Sequence, residues 1–335
     1  MGNSSVFVSG ATGFIAQHVI KQLIEKGYKV VGSVRTEAKG QNIQKNFGSE
    51  NFKYEIVEDL ETVGAFDKAL KNHPEVTIFM HTASPVTWSV QDNEKDIILP
   101  AINGTVNALK AINATSPQIE KVIITSSIVT QFSFSNRSAL TNENSWNDIT
   151  YDQAKETGSA AYHGSKTFAE KAAVEFVEKE KPSFSVSTVH PVFVFGPQVF
   201  DSEAKGQLNV TNTFISDLLN LKKGQSDETP VPKIMGSFVD VRDVAKAHLI
   251  EIEKPTNGLR VIAQCEDFNS QKLLNIINDN FPALNLVKGD PSSTSISDRN
   301  VDDSKSREYL GLQYISLEAS VVDTVQQYVT VNKLL

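Results

Sequence analysis

The chain has 335 residues, 40% of them hydrophobic and 21% charged, with a net charge of −8. This length can bury a large core in one or two domains. The acidic balance, with no long basic block, excludes nucleic acid and an anionic membrane as natural partners. Its single cysteine, Cys265, excludes an internal disulfide and reads as a core thiol rather than a nucleophile.

Apolar runs predict strands over 6–9, 28–34, 52–57, 76–81, 121–125 and 185–190. Between them, helical periodicity predicts helices over 14–26, 38–47, 63–71, 96–114 and 162–179. Short apolar strands alternating with helices predict an α/β fold, a parallel sheet covered on both faces. The rhythm then breaks. Residues 200–207 and 224–232 read as loops and 292–303 as a polar surface loop. Helices are expected over 208–221, 240–252, 271–279 and 317–328, with one more strand over 259–263. The C-terminal part reads as a smaller lobe over the strand ends. No basic leader precedes the first strand, and no apolar run approaches the roughly 18–20 residues of a membrane helix. The expectation is a soluble protein of a reducing compartment, the cytoplasm.

Gly10-Ala11-Thr12-Gly13-Phe14-Ile15-Ala16 follows the first strand and opens the first helix. Glycine tolerates the bend there, and the free N–H groups of a helix N-terminus favour a phosphate. The spacing G-x-x-G-x-x-A is looser than the common dinucleotide fingerprint, so a plain tight βα-turn stays open.

Tyr162 and Lys166 are four apart in a helical stretch and share one face. A nearby ammonium lowers a phenol's pKa and makes it a usable proton donor and acceptor. On its own, such a pair is equally a solvated helix face. Ser126 and Ser127 end the strand Lys121-Val122-Ile123-Ile124-Thr125, at the edge where an α/β sheet presents its site. A serine there can hydrogen-bond a substrate carbonyl, or simply cap the strand.

In order and spacing these three elements resemble the extended short-chain dehydrogenase/reductase family. His81-Thr82-Ala83-Ser84-Pro85, Pro100-Ala101-Ile102-Asn103-Gly104-Thr105, His190-Pro191-Val192-Phe193-Val194-Phe195-Gly196-Pro197 and Phe238-Val239-Asp240-Val241-Arg242-Asp243-Val244-Ala245 extend the resemblance over about 6–281. Within the family the chain is most similar to the fungal NADPH-dependent methylglyoxal/3-methylbutanal reductases, relatives of plant dihydroflavonol reductase.

The resemblance implies a Rossmann-type doubly wound parallel sheet. Residues 1–191 plus about 236–264 would bind NADP; about 192–235 and 265–335 would form the substrate lobe. It implies that Tyr162 protonates the carbonyl oxygen, that Lys166 lowers the Tyr162 pKa and holds the nicotinamide ribose, and that Ser127, rather than Ser126, polarises the carbonyl. Asn103 would either anchor a water leading to Lys166 or play an ordinary packing role. Asp59 and Leu60 resemble the adenine-contacting pair. Thr82, Ala83, Ser84, Pro191, Val194 and Thr211 match further cofactor-side positions.

Cofactor choice follows from charge. An acid at the end of the second strand would suit the ribose of NAD; this strand ends in Arg35, with Lys39 one helical turn on. Both suit a 2′-phosphate, which predicts NADPH/NADP+. Pro85, Phe132, Val192 and Phe200 are candidates for an apolar substrate wall. The six histidines show no metal-ligand spacing. The expected activity is reduction of small aldehydes and ketones, such as methylglyoxal, 3-methylbutanal or keto esters. A nucleotide-sugar epimerase or dehydratase, and a non-catalytic NADP-binding redox sensor, are the alternatives. Both a monomer and a homodimer are compatible with the resemblance.

Overall fold

A computed structural model describes residues 4–84, 91–222, 231–254, 258–290, 293 and 299–335. The first half alternates β1 (Ser5–Ser9), α1 (Phe14–Glu25), β2 (Lys29–Val34), α2 (Glu37–Phe47), β3 (Phe52–Ile56), α3 (Asp67–Lys71), β4 (Val76–His81), α4 (Leu99–Thr115) and β5 (Lys121–Thr125). There follow β6 (Leu140–Thr141), α5 (Tyr151–Glu156), α6 (Gly158–Glu180), β7 (Ser185–Pro191), β8 (Phe193–Phe195) and α7 (Thr213–Leu218). The chain continues through β9 (Met235–Asp240), α8 (Val241–Glu253), β10 (Arg260–Ala263), β11 (Glu266–Asn269), α9 (Ser270–Asn280), β12 (Asn300–Val301), α10 (Ser304–Leu310) and α11 (Leu317–Val331).

Seven strands form one sheet in the order β10-β7-β5-β4-β1-β2-β3, every ladder parallel. The order reverses between β1 and β4, the place where doubly wound sheets open a crevice at their C-terminal edge. Both faces are covered, so the central strands β1, β4 and β5 read as largely apolar runs. Along β1 the side chains alternate. Val6 and Val8 pack into the core shared with α1 and α8, while Phe7 faces α4. Phe7 stacks on Phe79 at 5.0 Å, and Phe66 meets both rings edge-on. Fully burying each such ring stabilises the fold by about 1.5–3 kcal/mol.

A second sheet, β11-β9-β8, packs Phe195, Phe238 and Phe268 with α9 and α11 in a separate core. Strands β8 and β11 have no counterpart in the sequence reading. Nor does β9, which pairs with β8 and β11. Strand β8 is only three residues long, β9 and β11 are interrupted by glycine or polar residues, and their partners are distant in sequence. The helix expected over 63–71 shrinks to α3, leaving Val63 84% exposed. The helix expected over 208–221 shrinks to α7. Helix α6 begins at Gly158, not at Tyr162, because the Thr157 side chain caps it by accepting from Ala160 N. Asn300 and Val301, expected in a loop, pair as β12 with β6. No helix among the described residues is long and apolar enough to cross a membrane.

Candidate active site

Where β1 ends, Gly10 turns the chain at φ +71°, and a Cβ there would sit 3.0 Å from the Ala83 Cβ. Gly10 N donates to Ser33 Oγ at 3.0 Å and Ala11 N to the Ser33 carbonyl at 2.9 Å, tying the turn to β2. Gly13 N donates back to the Gly10 carbonyl at 2.9 Å. Helix α1 then starts with no side-chain cap, which leaves its first N–H groups for a ligand. At β4, Ser9 Oγ accepts from Thr82 N and Ala83 N, both at 3.1 Å, and donates to His81 Nδ1 at 3.0 Å. His81 is therefore the Nε2–H tautomer, and burial lowers its pKa to about 3.

A cavity of about 590 Å³ opens at these strand ends. Gly13, Phe14, Ile15, Thr82 and Ser84 line one part of it, and Ser127, Tyr162, Lys166, Pro191, Val192 and Val194 another. The glycine cradle that a Cβ would fill, the uncapped helix and a cavity that runs from Gly13 and Phe14 to Tyr162 and Val194 in its lining fit a dinucleotide.

The Tyr162 hydroxyl donates to Ser127 Oγ at 3.4 Å. This is long for a hydrogen bond, as is common before substrate binds. Gly164 sits between Tyr162 and Lys166 because α5 presses on α6 there; a Cβ at Gly164 would lie 2.4 Å from the Ala154 Cβ. The buried Lys166 donates its Nζ to the Thr125 carbonyl at 3.4 Å. Burial pulls its pKa from 10.5 to about 8, with Glu170 acting the other way. Tyr162 departs from the sequence expectation. Burial pushes its hydroxyl above the ordinary value of 10, against the Ser127 hydrogen bond. Desolvation of the phenolate is the dominant influence on this hydroxyl.

The two serines diverge. Ser126 Oγ donates to Glu170, and Ser127 Oγ faces Tyr162. Thr211 lines the cavity and its hydroxyl donates to the Val194 carbonyl, so these two cofactor-side candidates meet. Phe132 and Val192 are in the cavity wall. Phe200 departs from its expectation. Its ring packs edge-on against Phe47 of α2 at 4.9 Å, and it does not line the cavity. Pro85 lies outside the described residues.

Gly10, Ala11, Thr12, Ala83, Arg35, Lys39, Asp59 and Leu60 are not among the lining residues. Arg35 and Lys39 stand exposed where β2 passes into α2, without an ion-pair partner among the described residues. The Asp59 carboxylate accepts from Glu61 N at 2.9 Å and from Thr62 Oγ1 at 3.2 Å. The Leu60 carbonyl accepts from Asn107 Nδ2 of α4 at 3.0 Å. Asn103, also on α4, is partly buried and lies outside the cavity lining.

The sequence reading missed several lining residues. Asn209, Met235 and Ser237 come from the second half of the chain. Arg299, in the stretch read as a surface loop, also lines the cavity, with its guanidinium 4.3 Å over the Phe132 ring. One arginine in a polar stretch carries no signal of its own. His163 has one, adjacency to Tyr162. Burial, then Arg299 and Arg137, lowers its pKa to about 4.

Comparison with known proteins agrees with this geometry. Residues 6–263 match the NAD dependent epimerase/dehydratase family. The NADPH-dependent methylglyoxal reductase GRE2 of Saccharomyces cerevisiae is 40% identical, over 96% of this chain and 97% of that protein. The crystal structure of Gre2 from Candida albicans in complex with NADPH superposes with a TM-score of 0.93 at 46% identity, covering 98% of this chain and 99% of that one. The structure of yeast methylglyoxal/isovaleraldehyde reductase Gre2 complexed with NADPH gives 0.94 at 37% identity, covering 99% of this chain and all of the other. The chain belongs to the NAD dependent epimerase/dehydratase family, the extended short-chain dehydrogenase/reductases.

Proposed function

We propose that this protein is an NADPH-dependent reductase of small carbonyl compounds, with methylglyoxal, 3-methylbutanal and keto esters as its substrate class. The observation that carries this reading is the meeting of Tyr162 and Ser127 at 3.4 Å in one cavity with Lys166 and the start of α1. When bound, the reduced nicotinamide supplies the hydride. Tyr162 rests as a phenol at neutral pH because burial raises its pKa, so it holds the proton the product oxygen needs. Ser127 Oγ sits beside that proton and stabilises charge growing on the carbonyl oxygen. Lys166, still largely an ammonium at neutral pH, supports the phenolate that remains and would take the ribose hydroxyls.

Arg35 and Lys39 are the candidates for the 2′-phosphate, and Asp59 with Leu60 for the adenine side. In this reading, residues 1–191 plus about 236–264 bind the cofactor, and about 192–235 and 265–335 hold the substrate. The protein acts in the cytoplasm as a monomer or a homodimer. The test is NADPH oxidation followed by absorbance with methylglyoxal, 3-methylbutanal, a β-keto ester and a dihydroflavonol, each repeated with NADH. NADPH-dependent turnover on the small carbonyls is expected. No turnover on any of them would shift the reading to a nucleotide-sugar substrate or a non-catalytic role.

A further inference from the structure

Behind the Ser127–Tyr162 pair lies a charged group that the reduction as described does not use. Glu170 is on α6, one helical turn after Lys166, and is only 3% exposed. An isolated carboxylate at that depth would give up its charge. Here burial is opposed first by His190, then by Arg260, whose Nε lies at 2.7 Å, and by the Ser126 hydroxyl, and Glu170 keeps its pKa below the ordinary value. The guanidinium is itself fixed. Its Nη1 donates to the Glu143 and Ser145 carbonyls at 2.9 and 2.6 Å, and its Nη2 to Thr130 Oγ1 at 3.2 Å. Its Cζ lies 3.9 Å from the centroid of the Trp146 ring.

His190 completes the cluster. Its Nδ1 reaches the Ser127 carbonyl at 3.2 Å, and its Nε2 lies 2.7 Å from Thr188 Oγ1 and 3.5 Å from Glu170. The Ser127 carbonyl can only accept, so Nδ1 carries the proton and Nε2 accepts from Thr188. Burial lowers the His190 pKa to about 4, so it is neutral near pH 7.

We propose that Glu170 is a positioning residue for the reduction, holding the Ser126–Ser127 turn against the sheet and standing as the buried anion one helical turn from Lys166. The inference rests on the reductase reading. Two lines meet in it. Ser126 binds Glu170 directly, and its neighbour is thereby turned toward Tyr162. Glu170 also favours the ammonium of Lys166 on the same helix face. The charged and titratable groups facing this cluster are Arg260 from β10, His190 from β7, His81 from β4, and Lys166 and Tyr162 from α6. Glu170 is the anion among them, so its removal leaves the two cations uncompensated.

The test is Glu170→Gln in the full chain, assayed with NADPH and methylglyoxal across pH. We expect kcat to fall by about 10- to 100-fold with KM little changed, as when an outer partner of a catalytic group is lost. The alkaline limb of kcat should move down by about one pH unit, since Lys166 loses its ammonium sooner without a nearby anion. An unmoved alkaline limb would overturn the proposal, whether or not kcat falls, because a merely structural role leaves that limb in place. Should Glu170→Gln fail to fold, Ser126→Ala tests the hydrogen-bonded arm alone: kcat should fall several-fold with KM little changed, and an unchanged kcat, or a loss confined to KM, overturns the role. Wild-type turnover, measured alongside, tests the reductase reading separately. Its absence overturns that reading and the positioning role with it.

Discussion

Ser126 and Ser127 are adjacent in sequence, yet their hydroxyls serve opposite partners: Ser126 Oγ donates to Glu170, and Ser127 Oγ accepts from Tyr162 at 3.4 Å. One serine is turned inward to a buried carboxylate, and the other faces the Tyr162 hydroxyl in the cavity.

That division predicts unequal losses. Tyr162→Phe should lower kcat by about 10²–10⁴-fold, the usual weight of a positioned proton donor. Ser127→Ala should lower it by about 10²-fold through the lost donor to the developing charge. Ser126→Ala should lose less than Ser127→Ala. Steady-state NADPH oxidation measures all three, and equal losses for the two serines would contradict the assignment.

Arg35 should discriminate between cofactors. It is exposed at the end of β2, free to meet a phosphate. A charge-assisted hydrogen bond of about 1.5–3 kcal/mol corresponds to about 10- to 100-fold in affinity. Arg35→Asp should therefore raise the NADPH Kd by that factor and leave the NADH Kd nearly unchanged in a fluorescence titration. Equal weakening of both would remove Arg35 from the phosphate site.

Five histidines should make the fold acid-sensitive. His18, His163, His190 and His248 are lowered to about 4 and His81 to about 3, chiefly by burial, from an ordinary value of 6.5. Their folded pKa values lie below the unfolded one, so the unfolded chain binds more protons between these values. The stability is complete above pH 6.5 and lost as pH falls toward 4, at about 1.4 kcal/mol per pH unit for each histidine responding fully. Thermal midpoints from pH 7.5 down to 4.5 should drop progressively below about pH 6.5. A flat profile would show that these rings are solvated.

Gly10→Ala should damage both fold and cofactor binding. A Cβ at φ +71°, 3.0 Å from the Ala83 Cβ, costs about 1–2 kcal/mol in backbone strain alone. The midpoint should fall by several degrees and NADPH affinity by about tenfold, because the shifted turn no longer lets a phosphate approach. An unchanged NADPH Kd would place the phosphates elsewhere.

Much of this protein was legible along the chain. The strands of the parallel sheet show as apolar runs because both faces are buried, and the turn at Gly10 shows because its φ demands glycine. Tyr162 and Lys166 share one helix face by spacing alone. These features are local, and a local stretch of sequence carries them. The small sheet was not legible, since Phe193, Phe238 and Phe268 come from three separated segments and form one core only when brought together. Phe200 is apolar, but only its contact with Phe47 shows that it packs away from the cavity. The Tyr162 pKa also runs against the sequence expectation, because desolvation depends on everything packed around the ring and spacing reports one neighbour. Sequence by itself determined the fold class and the family, and it named Ser127, Tyr162 and Lys166 as the candidates for a proton relay. Only the tertiary structure decided which serine faces Tyr162, where Arg299 lies and that Glu170 stands behind Lys166, because burial and long-range hydrogen bonds exist only once distant segments meet.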